Sequence, residues 1–396
     1  MSAALSVDDL SRSLAPHYSR FRVAERLLLT GHSHQAWPDV AVEGQLEAFD
    51  DAARAVDEKW ALAAAKAEEV ASGYRALLGD PDAEIAFGAN THELIVRFLS
   101  ALDLRARPRV ITTDGEFHTV RRQFMRLAEA GIDVVRVPAD PVDTLAERMA
   151  AEVDDRTAAA VVSLVLFETA RIVPGLGDLA AVCASRGAEA VIDAYHALGA
   201  IEVDLHELGL ADTWVVGGGY KYLQLGEGNC FLRLPPHADE FRPVVTGWFA
   251  EFGALAEEPD PARVAYPRGA ARFAGSTYDP TSHYRAARVF RFHAEQGLTP
   301  TLRREVSLHQ VGLLARTFDE LDLPEDMATR DRSVPREACG GFLALRCRDA
   351  LGLQRALAER GVSTDSRGRY LRFGPAPYLS DAQLTDAMTA LGDVVS

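Results

Sequence analysis

Short β-rich runs alternate with helical stretches between residues 84 and 234, and this alternation constrains the fold more than any other feature of the chain. The runs lie at 84–87, 109–113, 133–138, 158–167, 190–193 and 214–217, with helical patterns at 92–102 and about 120–130. A seventh run, 229–234, follows the sixth closely enough to pair with it as a hairpin. Strands separated by helices return in the same direction, so the pattern predicts an α/β fold. The expected core is a mostly parallel seven-stranded sheet with helices on both faces. In such sheets ligands lie beyond the carboxyl ends of the strands, so functional residues are to be sought just after each run.

The flanking regions give the expected domains. Residues 40–79 read as one long or two shorter helices, ending at Leu78-Gly79-Asp80-Pro81. Residues 250–280 are loop-like, with Pro259, Pro261, Pro267 and Pro280. A helix from about 282 to 296 opens a second region, with strands near 341–346 and 370–373 and a terminal helix at 380–391. The chain therefore divides into a large domain over 41–281 and a smaller C-terminal α+β domain over 282–396. At 396 residues, it has room for both.

Composition excludes several classes of partner. A net charge of −16 argues against nucleic acid or an anionic membrane, both of which are held by basic patches. No apolar run is long enough to span a bilayer, and the opening MSAALSVDDLSRSL lacks the layout of a signal peptide, so a cytoplasmic protein is expected. The four cysteines, Cys183, Cys230, Cys339 and Cys347, form no C-x-x-C pair and read as reduced, buried thiols. Of the 42 basic residues only Lys59, Lys66 and Lys221 are lysines. Lys59 and Lys66 share an Ala/Glu-rich helical stretch, whereas Lys221 stands alone in G-G-G-Y-K-Y-L. Lysine, unlike arginine, can lose its proton and attack a carbonyl.

The strand ends carry the chemistry. After 84–87 come Gly88-Ala89-Asn90-Thr91, where Asn90 or Thr91 caps a helix whose free N–H groups also suit a phosphate. After 109–113 comes Phe117, either a core aromatic or a ring lying flat on a ligand. Asp193 closes the next apolar run, where a carboxylate needs a partner or a helix to cap, and His196 follows it. Beyond 214–217, glycines lead to Tyr220 and Lys221. An anion cradle, a stacking ring, a carboxylate and one lysine form the inventory for pyridoxal phosphate.

The run V-I-D-A-Y-H-A-L-G-A-I-E-V-D-L-H-E-L-G (191–209), then G-G-Y-K-Y-L (218–223), resembles the class V aminotransferase group of fold-type I pyridoxal-phosphate enzymes. Within that group the chain is most similar to kynureninases, which share D-x-x-H, V-D-L-H and Y-K-Y-L at similar spacing. T-G-W-F (246–249), G-S-T-x-x-P (275–280) and L-R-F-G-P-A-P-Y (371–378) extend the match over nearly the whole chain. The resemblance implies that Lys221 binds the cofactor and moves the Cα proton, with Tyr220 as its acid/base helper. It places Asp193 at the ring nitrogen and Phe117 on the ring, with Asn90, Thr91, Tyr220 and His196 at or near the phosphate. Trp248 and the Ser276-Thr277 loop would close the neighbouring subunit's site in a homodimer. Arg372 would grip the α-carboxylate of an amino-acid substrate.

The implied reaction is hydrolytic Cβ–Cγ cleavage of kynurenine or a related γ-carbonyl amino acid, leaving alanine. Aminotransferase, epimerase and β-eliminating lyase activities are the alternatives within the group. The resemblance also puts residues 1–40 over the small domain and the active site, with Ser33 and His34 toward the substrate. There G-H-S-H-Q-A-W-P (31–38) replaces the family's G-N-S-L-G-x-x-P, and Thr277 replaces a substrate-contacting Asn. Phe117-His118-Thr119-Val120 replaces F-P-S-D, so a second carboxylate near the cofactor is expected to be absent.

Two readings from other classes compete. His32 and His34 could ligate zinc, but a third ligand is required and no H-E-x-x-H or equivalent occurs, so no metal is expected. A nucleophilic Ser33 lacks the G-x-S-x-G elbow. Sulfur transfer would need a mobile cysteine near 361–369, where there is none.

Overall fold

The computed structural model describes residues 6–256, 258, 260 and 262–395, so Pro259 and Pro261 of the expected loop lie outside the described residues. The first part of the chain carries α1 (Val7–Leu14), a two-residue strand β1 (Leu27–Leu28), and helices α2 (Ala41–Ala55) and α3 (Lys59–Leu78). The expected 40–79 stretch is thus two helices. Gly79 ends α3 at φ +62, where a Cβ would stand 2.6 Å from Asp204 Oδ2. Only glycine turns the chain there without strain.

The large sheet follows the expected alternation. In chain order come β2 (Glu84–Gly88), α4 (Thr91–Ala101), β3 (Arg109–Thr113), α5 (His118–Glu129), β4 (Asp133–Val137), α6 (Leu145–Ala151), β5 (Thr157–Ser163) and α7 (Leu176–Ser185). Then come β6 (Glu189–Asp193), β7 (Trp214–Gly217) and β8 (Cys230–Leu234). The spatial order is β2-β8-β7-β6-β5-β3-β4. The pairings are parallel from β4 to β7, and β8 runs antiparallel to both β7 and β2. The run at 158–167 is shorter as a strand than expected: beyond Ser163 only an isolated Val165–Ile172 bridge remains.

Both faces of this sheet are covered, which explains its apolar runs. Successive residues feed opposite cores, as the period of two requires. Ile111, Val162, Ile192 and Val215 pack with α3 and α7 residues on one side. Val110, Val161, Val191 and Val216 pack with Phe98 and Phe124 of α4 and α5 on the other.

The rest of the chain carries α8 (Thr281–Glu295), α9 (Pro300–Glu320), β9 (Ala328–Thr329), β10 (Leu343–Cys347) and α10 (Ala350–Glu359). It continues with β11 (Val362–Ser363), β12 (Asp365–Arg367), β13 (Tyr370–Phe373) and α11 (Asp381–Val395). Strands β12-β13-β10-β9 form an antiparallel sheet. Its core takes in Leu10, Leu14, Tyr18 and Leu29 from the N-terminal segment. That segment is stitched on by β1, which pairs parallel with β11. Helix α8 serves two cores, with Ala286 and Val289 in the large one and Phe292 in the small one.

The α2–α8 crossing depends on Gly44, where a Cβ would lie 2.5 Å from the Tyr284 carbonyl oxygen. Backbone cannot yield as a side-chain tip can. Gly44→Val is therefore expected to destabilise by about 1–3 kcal/mol, read as a lower denaturation midpoint at unchanged slope. A midpoint equal to wild type would refute this account of the crossing.

Candidate active site

Strand ends β6 and β7 converge on Lys221. Three glycines (Gly217, Gly218 and Gly219) bring the chain off β7, and the lysine that follows is buried, with 5% of its surface exposed. Its Nζ lies 2.6 Å from His196 Nε2. Three rings surround it: Phe117 and Tyr195 at 5.1 Å to their centroids and Tyr220 at 5.6 Å. Burial pushes the amine down to about 7, with Asp193 opposing and Arg372 assisting the shift. A neutral amine is therefore accessible near neutral pH, which nucleophilic attack on a carbonyl requires.

Asp193 ends β6, buried, and accepts a hydrogen bond from the Tyr195 N–H at 2.8 Å. Burial raises its carboxyl, while the Tyr195 hydrogen bond and the charge of Lys221 lower it. His196 is held well below its ordinary range, first by burial and then by Lys221 and Arg372, so it stands neutral beside the lysine. It therefore meets the amine directly. Tyr220 is pushed up to about 12 by burial, keeping its phenol protonated.

The expected anion cradle reaches this cluster less directly. Asn90 Oδ1 accepts from the Glu93 N–H at 3.0 Å, so Asn90 is the N-cap of α4, as the plain reading of the motif had it. Burial raises the Cys230 thiol, with Tyr195 and the Thr91 backbone N–H opposing the shift, and the thiol lies 3.6 Å from Tyr195 Oη. Trp248 Nε1 donates to Thr277 Oγ1 at 3.1 Å, and Trp248 also packs on Phe249 and Phe252. That group lies on the surface, and among the described residues these partners of Trp248 do not extend to Lys221 within one chain.

The G-H-S-H-Q-A-W-P segment (31–38) divides between two environments. A turn closes at Ser33 N–H and His34 N–H, both donating to the Thr30 carbonyl, and Ser33 Oγ also turns back to it at 3.2 Å. His34 is exposed, its ring 5.9 Å from Tyr220. His32 is fully buried, 4.6 Å from the Phe342 ring and 3.8 Å from Asp365 Oδ2. Thus Ser33 is folded back on its own turn, and His32, not singled out for the substrate side, lies inward. Among the described residues no three His, Cys, Asp or Glu side chains converge on a metal-binding point.

Arg372 is buried, with 2% of its surface exposed, and differs from the open fork expected of a carboxylate clamp. Nη2 donates to Asp365 Oδ2 at 2.6 Å and Nη1 to the Phe167 carbonyl. Both fork nitrogens are already occupied. Val120 stands where F-P-S-D has its carboxylate, and a different carboxylate, that of Glu116 beside Phe117, is buried behind the same strand ends. It accepts from Thr113 Oγ1 at 2.8 Å, Ser163 Oγ at 2.6 Å and the Ser163 N–H at 3.1 Å. Ser163 pairs with Asp193 in the sheet. Burial, with Asp193 adding to it, raises Glu116 to about 7 against the opposing hydrogen bonds. The adjacent motif in D-G-E-F was the available signal, but its burial depends on Ser163.

That shift has a measurable consequence. A carboxyl raised on folding contributes stability that is fully present below the ordinary carboxylate range and lost as pH rises through its folded value. Glu116→Gln should remove this loss, on the order of 2–3 kcal/mol between about pH 4.5 and pH 8. Unfolding free energy against pH for the two proteins checks it. Parallel profiles would show that folding does not raise the Glu116 carboxyl.

The cluster fits pyridoxal phosphate on its own chemistry. The buried carboxylate of Asp193, held by the Tyr195 N–H, still needs a cation, which a protonated ring nitrogen supplies. A poised amine and a flat aromatic lie alongside. This is the class V aminotransferase-like, fold-type I architecture of pyridoxal-phosphate enzymes. Over 98% of its length the chain is 27% identical to the kynureninase of Pseudomonas fluorescens, of which 94% is covered. It is 28% identical to the isopenicillin N epimerase of Streptomyces clavuligerus, over 80% of this chain and 82% of that protein. Among solved structures it resembles a C-DES variant with glycine covalently linked to its PLP cofactor, with a TM-score of 0.82 at 17% identity. That likeness covers 96% of this chain and 99% of the other. No family model matches the sequence. Among the described residues no helix is long and apolar enough to cross a membrane.

Proposed function

We infer that this chain is a pyridoxal-phosphate enzyme that cleaves the Cβ–Cγ bond of L-kynurenine or a related γ-carbonyl amino acid hydrolytically, releasing alanine. The observation that carries the cofactor is the poised amine of Lys221 beside the buried carboxylate of Asp193 at parallel strand ends. The likeness to a kynureninase over 98% of the chain supports the reaction. When bound, pyridoxal phosphate supplies a sink for the electrons released at Cα.

The chain's own residues do the rest. Lys221 Nζ takes the cofactor and then carries the Cα proton, with neutral His196 at 2.6 Å accepting a hydrogen bond from it. Asp193 would hold the proton on the ring nitrogen, Phe117 would pack against the ring, and Thr91, with Asn90 as the cap of its helix, would hold the phosphate. Tyr220, still protonated near neutral pH, donates a proton to Cβ, which becomes the methyl carbon of alanine while the γ-carbonyl carbon, having taken up water, leaves as the acid. Arg372 receives the α-carboxylate, and His34 and Ser33 border the side chain. Exposed Trp248 and Phe252 support a homodimer in which Trp248 and Thr277 complete the neighbouring site.

Epimerisation is the second reading, supported by the likeness to isopenicillin N epimerase. Sulfur transfer is disfavoured by the thiols, since burial raises Cys183 and Cys230 to about 12 and Cys347 to about 11.

The test has two stages. The purified protein should be yellow, and borohydride should fix the cofactor on Lys221; a colourless protein that takes up no cofactor refutes the class. A panel of amino acids is then followed for alanine release, with and without an α-keto acid. Alanine with anthranilate from kynurenine supports hydrolytic cleavage. Keto-acid dependence would establish transamination instead, and loss of optical rotation without product would establish epimerisation.

A further inference from the structure

Asp365 fills the position where the proposed carboxylate grip should be open. It faces Arg372 directly across the β12–β13 ladder. Its Oδ2 holds Arg372 Nη2 at 2.6 Å, while its Oδ1 holds Arg367 Nη1, also at 2.6 Å. The two arginines differ in setting: the Arg372 side chain is 2% exposed and that of Arg367 is 36% exposed. One carboxylate thus bridges a buried guanidinium and a half-open one.

The closed arrangement leaves polar atoms around it unsatisfied. Arg372 Nε, both ring nitrogens of His32 and Thr364 Oγ1 are buried with no hydrogen-bond partner among the described residues. Buried polar groups without partners are rare and call for an explanation. All three residues border Asp365, by sequence, by the 3.8 Å approach of His32 or by the ion pair itself. A second anion at Arg372 would meet the free Nε. A small rotation of Asp365 toward Arg367 would vacate Nη2 without leaving either carboxylate unpaired.

Building on the cofactor reading above, we propose that Asp365 is a positioning residue that occupies the carboxylate seat of Arg372 until an amino acid binds. An incoming α-carboxylate displaces it onto Arg367. The seat is therefore never a bare buried cation, and Asp365 is an internal competitor that sets how tightly an amino acid is held. The cost of an unpaired buried charge is the physical reason for such a stand-in.

The experiment uses the holoenzyme and two probes, L-alanine and ethylamine, which differ in the carboxylate. Each is titrated against the visible absorbance of the bound cofactor. Asp365→Asn should tighten L-alanine about tenfold relative to ethylamine. Arg367→Gln should weaken L-alanine several-fold relative to ethylamine in the wild-type background and have no further effect on that ratio beside Asp365→Asn. A purely electrostatic effect of Arg367 would act equally in both backgrounds and would overturn the hand-over. An unchanged or reversed ratio in Asp365→Asn would overturn the competitor role. If Asp365→Asn does not fold, Asp365→Ser takes its place, with and without Arg367→Gln, and the same two ratios decide. A wild-type protein without cofactor absorbance refutes the cofactor reading and is distinguishable from all of these.

Discussion

Replacing Lys221 with alanine is expected to lower turnover by roughly a thousandfold or more while leaving the chain folded. The amine is the one group in the site that combines a value near 7 with direct contact to a neutral imidazole. Removing it takes away both the attachment point of the cofactor and the base for the Cα proton. Borohydride should then leave no cofactor on the protein. Lys221→Arg is the informative partner: it keeps charge and length but stays protonated, so it should fail as alanine does. Activity of either variant within tenfold of wild type would exclude Lys221 from the chemistry. A low-activity variant that still unfolds at the wild-type midpoint separates lost chemistry from lost structure.

The largest expected effect on stability lies in the same sheet, on the strand between β2 and β7. Arg233 on β8 donates to Asp80 Oδ2 through Nε at 2.8 Å and Nη2 at 2.5 Å. Its Nη1 holds the Ala211 and Thr213 carbonyls at 2.7 and 2.9 Å. Both partners of the ion pair are buried, so Arg233→Ala strands a carboxylate and two carbonyl groups in the interior. The expected loss is about 3–5 kcal/mol, measured by chemical denaturation. Asp80→Asn combined with Arg233→Met should recover much of it, because an uncompensated charge is the costly state. If the double variant is no more stable than Arg233→Ala, packing rather than charge carries the effect.

The sheet was legible because its signals are local. Alternating runs, turn glycines and the hairpin spacing of the last two strands give every strand of the large sheet to within a few residues. Lys221 and Asp193 were legible for a similar reason, since each stands just past an apolar run. Helix α9 was not read from the sequence, because it is buried on several sides and so lacks one apolar stripe. The side chains of the 31–38 segment are not sorted by sequence either. In a tight turn neighbouring residues diverge, and burial of His32 with exposure of His34 is decided by Phe342 and Tyr220, far along the chain. Glu116 shows the same limit: its sequence neighbours do not reveal that Ser163, 47 residues later, closes over it. Asp365 went unread because strand register, not proximity in sequence, sets it against Arg372.

The stitching of β1 to β11 bears on the order in which the protein can become active. Leu27 and Leu28 pair with Val362 and Ser363, and the Gly31 N–H donates to the Gly374 carbonyl at 2.8 Å. The turn carrying His32 and His34 therefore has no platform until residues more than 300 positions later have been synthesised. The large sheet, with its strands complete by residue 234, can assemble while the chain is still emerging from the ribosome. Throughout that interval Leu10, Leu14 and Tyr18 await the core that will cover them. The earliest-made segment is thus the last to be fastened, and on the reading above a chain cut short before Gly374 would have its cofactor lysine but not its substrate wall.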